Sequence, residues 1–315
     1  MIGFLARRLL AMIPVLFGVS LLAFFALLMS PGDVATITLA AKTGIETPSQ
    51  EAIEAQRREL RLDAPLHVQY VSWLGRVLTG DLGHSYLTGR PVTRELARVF
   101  PATAALACLS LAVVLLLAVP IGVVAARHRG RPLDRAALAG SLFLSCVPDF
   151  FLGLILIVVF SISLGLTPVA GFTDMRGIIL PALTLGLANA AISARLMRAG
   201  MIQALEEKHL LAAKARGLTR RVVVWKHALR QALVPLSSYV GTQFGYFFGG
   251  AVVVEVIFVW PGLGRLLVDS VNSRDIFVVQ GCVLAITAIY VLINLGVDIL
   301  QWILDPRTRH VEAVH

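Results

Sequence analysis

Charge is scarce in this sequence. Only 15% of its 315 residues are Asp, Glu, Lys or Arg, 57% are hydrophobic, and the mean hydropathy is +0.80. A soluble domain of this length needs far more polar surface to cover its core, so the chain reads against a bilayer. Acidic residues are the scarcer sign, 19 against 28 Lys and Arg, which leaves a net charge of +9. In a soluble protein that excess would suggest nucleic acid. Here the basic residues gather between apolar runs, as orientation in a membrane requires, and no nucleic-acid partner is expected. Cysteine is nearly absent. Cys108, Cys146 and Cys282 have no paired spacing and no neighbouring histidines, which excludes a zinc framework, and each is expected to be a buried thiol inside an apolar run. The seven histidines are scattered across loops, so no metal site is expected. Nor is there a GxxxxGK[ST] loop, an HExxH pair or a Ser-His-Asp pattern, so the chain is expected to be no enzyme and to bind no cofactor itself.

What the sequence has is long apolar runs. Leu9–Ser30 follows Arg7 and Arg8 and carries no charge over 22 residues. That is longer than the apolar part of a signal peptide and lacks its small-residue cleavage site, so an uncleaved first span is expected. Ala102–Ala126 is uncharged, Ala136–Thr173 is interrupted by Asp149, and Gly177–Ala194 is short with Pro181 near its start. Gln231–Val254 ends at Glu255, and Ile276–Leu304 carries Asp298 alone. Eighteen residues at about 1.5 Å of rise reach roughly 27 Å, enough to cross the hydrocarbon core. Pro14, Pro120, Pro148 and Pro235 are tolerated inside such spans, where neighbouring groups satisfy the freed carbonyls. The expected fold is an all-α membrane protein with six transmembrane helices.

The connections set an orientation. With the N-terminus in the cytoplasm, the inner segments 1–8, 127–135, 195–230 and 305–315 carry two, four, nine and two Lys or Arg. The short outer segments 165–176 and 259–275 carry one and two. The outer stretch 31–100 has eight of each sign, but so long a segment is largely exempt from the rule. Both termini are therefore expected inside. Within 31–100, Thr47–Leu60 and Leu66–Leu78 read as helices and Gly80-Asp81-Leu82-Gly83 as a turn. This segment is expected to be a helical cap on the membrane domain, a docking surface for a soluble partner, or both, with Tyr70 and Trp73 anchored at the outer interface. The expected organisation is 1–30 as inner end and first span, 31–100 as extracytoplasmic segment, 101–304 as five-helix core, and 305–315 as cytoplasmic tail.

The basic connection Arg195–Arg230 has helix periodicity broken once, at Arg216-Gly217-Leu218. A glycine there can take positive φ and end one helix before another begins, giving a helix pair along the cytoplasmic face. The run His209-Leu-Leu-Ala-Ala-Lys-Ala-Arg-Gly-Leu, followed by Trp225-Lys-His-Ala-Leu-Arg-Gln-Ala-Leu-Val-Pro235, resembles the coupling loop of ABC importer permeases of the dipeptide, oligopeptide and nickel branch. The same branch is matched by Leu62-Asp-Ala-Pro-Leu-His, Gly80-Asp-Leu-Gly, Phe100-Pro-Ala-Thr, Glu255-Val-Ile-Phe-Val-Trp-Pro-Gly-Leu-Gly-Arg265 and Asp305-Pro-Arg. The resemblance covers nearly the whole chain in order.

It implies a type I importer permease in the bacterial inner membrane, paired with a second homologous permease. It further implies two ATPase subunits inside, which would hold ATP-Mg, and a soluble binding protein outside. By position the ATPase contact falls on Leu211–Gly217, with Leu211, Ala212, Ala213, Gly217 and Pro235 as its residues. The acidic residue that heads this motif in many ABC importers is Leu211 here, while the small Ala212, Ala213 and Gly217 suit close backbone docking.

Asp149, Glu255 and Asp298 would each be costly in lipid, so each is expected to face a partner helix or a water-filled path. The branch usually has Ser or Asn at the place of Asp149, which suggests either a pathway carboxylate for a cationic cargo or a hydrogen-bond partner. A gate or anchor suits Glu255, and pairing with inner arginines suits Asp298. Gly241, Gly245 and Gly249 recur every four residues, a spacing that lets helices approach closely, in a permease–permease interface or within the chain. A transporter driven by an ion gradient would predict inverted repeats, which the sequence does not show. A membrane scaffold without a path would not need the intramembrane acids. The outer connection 165–176 resembles the short one of nickel-type members of the branch, and with Asp149 this favours nickel or a metal chelate as cargo, with short peptides as the alternative.

Overall fold

The computed structural model describes residues 2–28, 33–43, 48–59, 62–172, 175–208, 210 and 216–304. In chain order the helices are α1 Ile2–Leu28, α2 Val34–Thr43, α3 Gln50–Glu59, α4 Leu66–Leu78, α5 Val92–Arg127, α6 Pro132–Cys146 and α7 Asp149–Leu156. Then follow α8 Ile179–Glu206, α9 Leu229–Ile257, α10 Leu263–Asn272 and α11 Ile276–Leu304. A π-helical stretch, Ile157–Ser163, extends α7, and another, Val223–Ala228, leads into α9. Among the described residues the only β pairing is the isolated bridge between His84 and Pro91. Among the described residues five helices are long and apolar enough to cross a membrane, and the bent pair α6–α7 makes a sixth if it counts as one span.

The chain divides into two compact units, Met1–Ala104 with Pro261–Val291, and Ala105–Trp260 with Leu292–His315. These units cut across the expected 31–100 and 101–304 boundaries, since residues 261–291 fold back beside the N-terminal part. In the first unit, α4 lies on α1. Trp73 is buried against Phe24 and Ala23, with Tyr70, Leu74 and Val77 around them. The Tyr70 hydroxyl shares a 2.7 Å hydrogen bond with Ser20, and its ring stands edge-on to Phe17 and Phe24. Tyr70 and Trp73 thus hold α4 against α1. Gln69 fixes the approach to α4 by donating its amide to the carbonyls of Leu62 and Ala64, both at 2.8 Å.

The expected turn at residues 80–83 forms with Gly80 at φ +86° and Gly83 at φ +82°, where other residues are strained. Beyond it, Val92, Leu96 and Val99 of α5 meet Leu263, Phe277, Val278 and Cys282. The segment 259–275, expected as a short outer connection, contains the amphipathic α10. Its first free N–H, on Leu263, is satisfied by the Thr103 hydroxyl at 2.7 Å.

In the second unit α8 is central, and 67% of its most apolar window is buried inside the chain rather than left to lipid. Two glycines allow α5 and α8 to touch. A Cβ on Gly122 would lie 2.6 Å from Met197 Cβ, and one on Gly186 would lie 2.6 Å from Val113 Cγ1. Two expectations change here. The run 136–173 breaks by 105° between α6 and α7, because Pro148 cannot continue the helix and biases Val147 to an extended ψ of 122°. The short run 177–194 is the apolar part of a 28-residue helix that continues through Arg195 and Arg198 to Glu206. Cys108 and Cys146 are exposed in the chain and only Cys282 is buried, so two of the three thiols lie on outward helix faces.

Candidate transport and coupling sites

The end of the second unit where α6 begins and α8 finishes is organised by ion pairs. Asp134, in the first turn of α6, is 2% exposed. Arg198 of α8 donates Nε to Oδ1 at 2.5 Å and Nη2 to Oδ2 at 2.8 Å, a bidentate fork. The N–H of Gly130 adds a third bond to Oδ2 at 2.8 Å. A second pair joins Arg129 to Glu206, the last residue of α8. Higher up, Arg195 donates to the Ser145 hydroxyl at 3.2 Å. The reading of the sequence missed the Asp134–Arg198 pair. Its signal was present: an acid in the first turn after Arg131-Pro132, and an arginine one turn beyond Arg195 on a helix otherwise short of charge.

The coupling residues fall unevenly. Leu211, Ala212 and Ala213 lie outside the described residues. Gly217 sits in a turn at φ +88°, the left-handed conformation expected for it. The separate helix pair expected across 195–230 is replaced, in its described parts, by extensions of the flanking spans. Residues 195–206 belong to α8, and the helix resuming at Arg220 runs through the π turn into α9. Pro235 lies inside α9 on an exposed position.

The acids occupy three different settings. Asp149 begins α7 directly after the break and is half-buried. Among the described residues its carboxylate has no hydrogen-bond or ion-pair partner. It stands at the head of the buried stripe Leu152, Gly153 and Leu156, where a Cβ on Gly153 would lie 3.2 Å from Phe258 and 3.3 Å from Thr184. Glu255 is fully buried near the end of α9. Its carbonyl accepts the Trp260 N–H at 2.8 Å, closing a turn in which Val259 is held at φ +54°. That conformation is uncommon for any residue but glycine and is an outlier for a β-branched one. The segment 165–172 is pinned to this turn: Gly171 N–H donates to the Phe258 carbonyl at 2.8 Å, and Phe172 packs edge-on to Trp260 at 5.0 Å. Asp298 is half-buried toward the far end of α11.

The glycine stripe is divided. A Cβ on Gly241 would lie 2.4 Å from Val297 Cγ1, so this glycine permits close approach of α9 and α11 within one chain. Gly245 is buried and Gly249 is exposed. Asp149 and Glu255 thus share the α7–α9 region near Phe258, while Asp298 and the basic inner cluster belong elsewhere. Among the described residues no three His, Cys, Asp or Glu side chains are placed to hold a metal ion.

In the second unit, helices packed around one long buried helix, with spans extended into a basic connection, have the architecture of a type I ABC importer permease. The comparisons agree. Residues 118–310 match the model of the binding-protein-dependent transport system inner membrane component, and residues 1–107 match its N-terminal counterpart. The chain belongs to that family of multi-pass inner-membrane transport permeases. It is 41% identical over 310 residues to the glutathione transport system permease protein GsiC of Escherichia coli O6:H1, covering 98% of this chain and all of that one. The corresponding protein of Escherichia coli K12 is 40% identical over the same length. Among solved structures, an inward-facing MetNI methionine ABC transporter shares the fold with a TM-score of 0.55 at 19% identity, over 67% of this chain and 96% of its own. An amino acid ABC transporter with histidines gives 0.50 at 20% identity, over 68% and 94%.

Proposed function

We propose that this chain forms half of the path by which a short peptide of the glutathione class enters the cell, driven by ATP hydrolysis on partner subunits. The observation that carries the reading is end-to-end likeness to permeases named for glutathione transport. It shifts the cargo from the nickel or metal chelate favoured by the short 165–176 connection to a peptide. In this reading a soluble binding protein delivers the cargo at the outer side, and a second homologous permease completes the path. Of two ATPases, one docks at the segment 211–217 of this chain, with Ala212, Ala213 and Gly217 as the close contact. Gly249, exposed on α9, is the part of the glycine stripe available to the second permease.

Asp149 supports a narrower, second reading. A half-buried carboxylate without a partner, at the mouth of a helix break, suits the ammonium group of a peptide or a cationic chelate. The complete complex in proteoliposomes, loaded with its binding protein, tests both. Uptake of reduced glutathione that requires ATP and is competed by other short peptides is the expected result. Uptake of nickel in preference to any peptide would overturn the peptide reading. Asp149→Asn is expected to depress uptake of a cationic cargo more than that of a neutral one, and equal effects would remove the charge argument.

A further inference from the structure

We propose that Asp134 and Arg198 are positioning residues that bind the α5–α6 turn to the inner end of α8, so that the two move as one body when the motor acts. The inference rests on the coupling role proposed above for residues 211–217. Three features carry it. The pair is bidentate and Asp134 is 2% exposed, so water does not compete for it and its geometry is fixed. Asp134 also accepts the Gly130 N–H, and Gly130 is at φ +78°, so the same carboxylate shapes the turn between α5 and α6. The second pair, Arg129 to Glu206, ties that turn to the last residue of α8, immediately before the chain enters the coupling segment.

The consequence is mechanical. Without these pairs, α6 would follow a displacement of the inner end of α8 only through apolar packing and the Arg195–Ser145 bond farther along. With them the displacement is carried to α6 directly, and α6 ends at the 105° break beside Asp149. The break is the joint at which such a displacement would change the angle between α6 and α7. A charged staple is costly in the hydrocarbon core and so belongs near a helix end, inner or outer. This one sits at the inner end, where force would enter.

The test uses the full complex, with Cys108, Cys146 and Cys282 replaced by alanine and spin labels on Arg131→Cys and Gln203→Cys, both exposed positions. The 131–203 distance is expected to stay the same with and without ATP, while both labels shift relative to a third on Tyr246→Cys. In Asp134→Asn the 131–203 distance is expected to change on ATP binding, and uptake per ATP hydrolysed to fall about tenfold. Arg198→Lys, which keeps the charge but not the fork, should give a smaller loss and guards against a variant that fails to assemble. A wild-type 131–203 distance that changes with ATP would overturn the proposal. So would one that stays fixed in both variants, or hydrolysis and uptake that fall in parallel. If neither wild-type label moves relative to residue 246, the coupling reading itself fails, a result distinct from a clasp that slips.

Discussion

Val259 holds a β-branched side chain at φ +54°, a conformation that costs an L-residue roughly 1–2 kcal/mol. The turn persists because Trp260 N–H closes onto the Glu255 carbonyl and Gly171 N–H closes onto Phe258, which together determine its shape. Strain kept in this way, beside a fully buried acid, marks a place where a change of state would release it. Val259→Asn, with a side chain that tolerates the left-handed region, is expected to stabilise the protein by about 1 kcal/mol. A raised melting temperature in detergent would show this, and an unchanged one would mean that the neighbouring groups do not enforce the turn. Gly241 carries the opposite kind of constraint. Any side chain there meets Val297, so Gly241→Leu should destabilise by about 1–3 kcal/mol through overpacking. Val297→Ala in the same chain should recover most of the loss. A variant that melts normally but no longer associates with its partner permease would place Gly241 at the interface between chains instead.

At the scale of elements, α4 shows how an extramembrane helix is held. Its buried face is little more than Trp73 and Gln69, with Tyr70 tied to Ser20. Trp73→Ala should therefore cost about 3–5 kcal/mol and expose residues 66–78 to protease before the spans unfold. Cleavage elsewhere first would show that other contacts hold the cap. The bounds of α4 and α11 were legible in the sequence, because a proline or a polar break flanks a run of one periodicity. The break after Cys146 was legible only as a kink: Pro148 marks the place, but the angle depends on α8, against which Gly153 packs through Thr184. The helix α10 was missed, since its ten residues are too few to stand out, and its apolar positions acquire meaning only from Val92 and Phe277 on distant segments. The candidate site divides the same way. Gly217 announced its backbone conformation locally, whereas the Asp134–Arg198 clasp joins residues 64 apart, and the local signals at its two ends do not report that they pair.

For the whole molecule the decisive quantity is the placement of charge along the spans. α5 has 36 residues, about 54 Å at 1.5 Å each, so its ends must lie on opposite sides of a hydrocarbon core of about 30 Å. Leu87, 62% exposed before α5, and Arg131, exposed after it, are therefore markers for the two sides. The segment 127–135 carries four arginines and 195–230 carries nine Lys or Arg, against three in the short segments 165–176 and 259–275 combined. By that asymmetry Arg131 is expected in the cytoplasm, together with the segment proposed to meet the ATPases. In a background lacking the native cysteines, Leu87→Cys should react with an impermeant maleimide in cells whose outer membrane is opened, and Arg131→Cys only after lysis. Reaction of both from one side would mean that α5 does not span. Reaction in the reverse order would put residues 211–217 outside, where no ATPase could reach them, and the motor-driven reading would fall with the orientation.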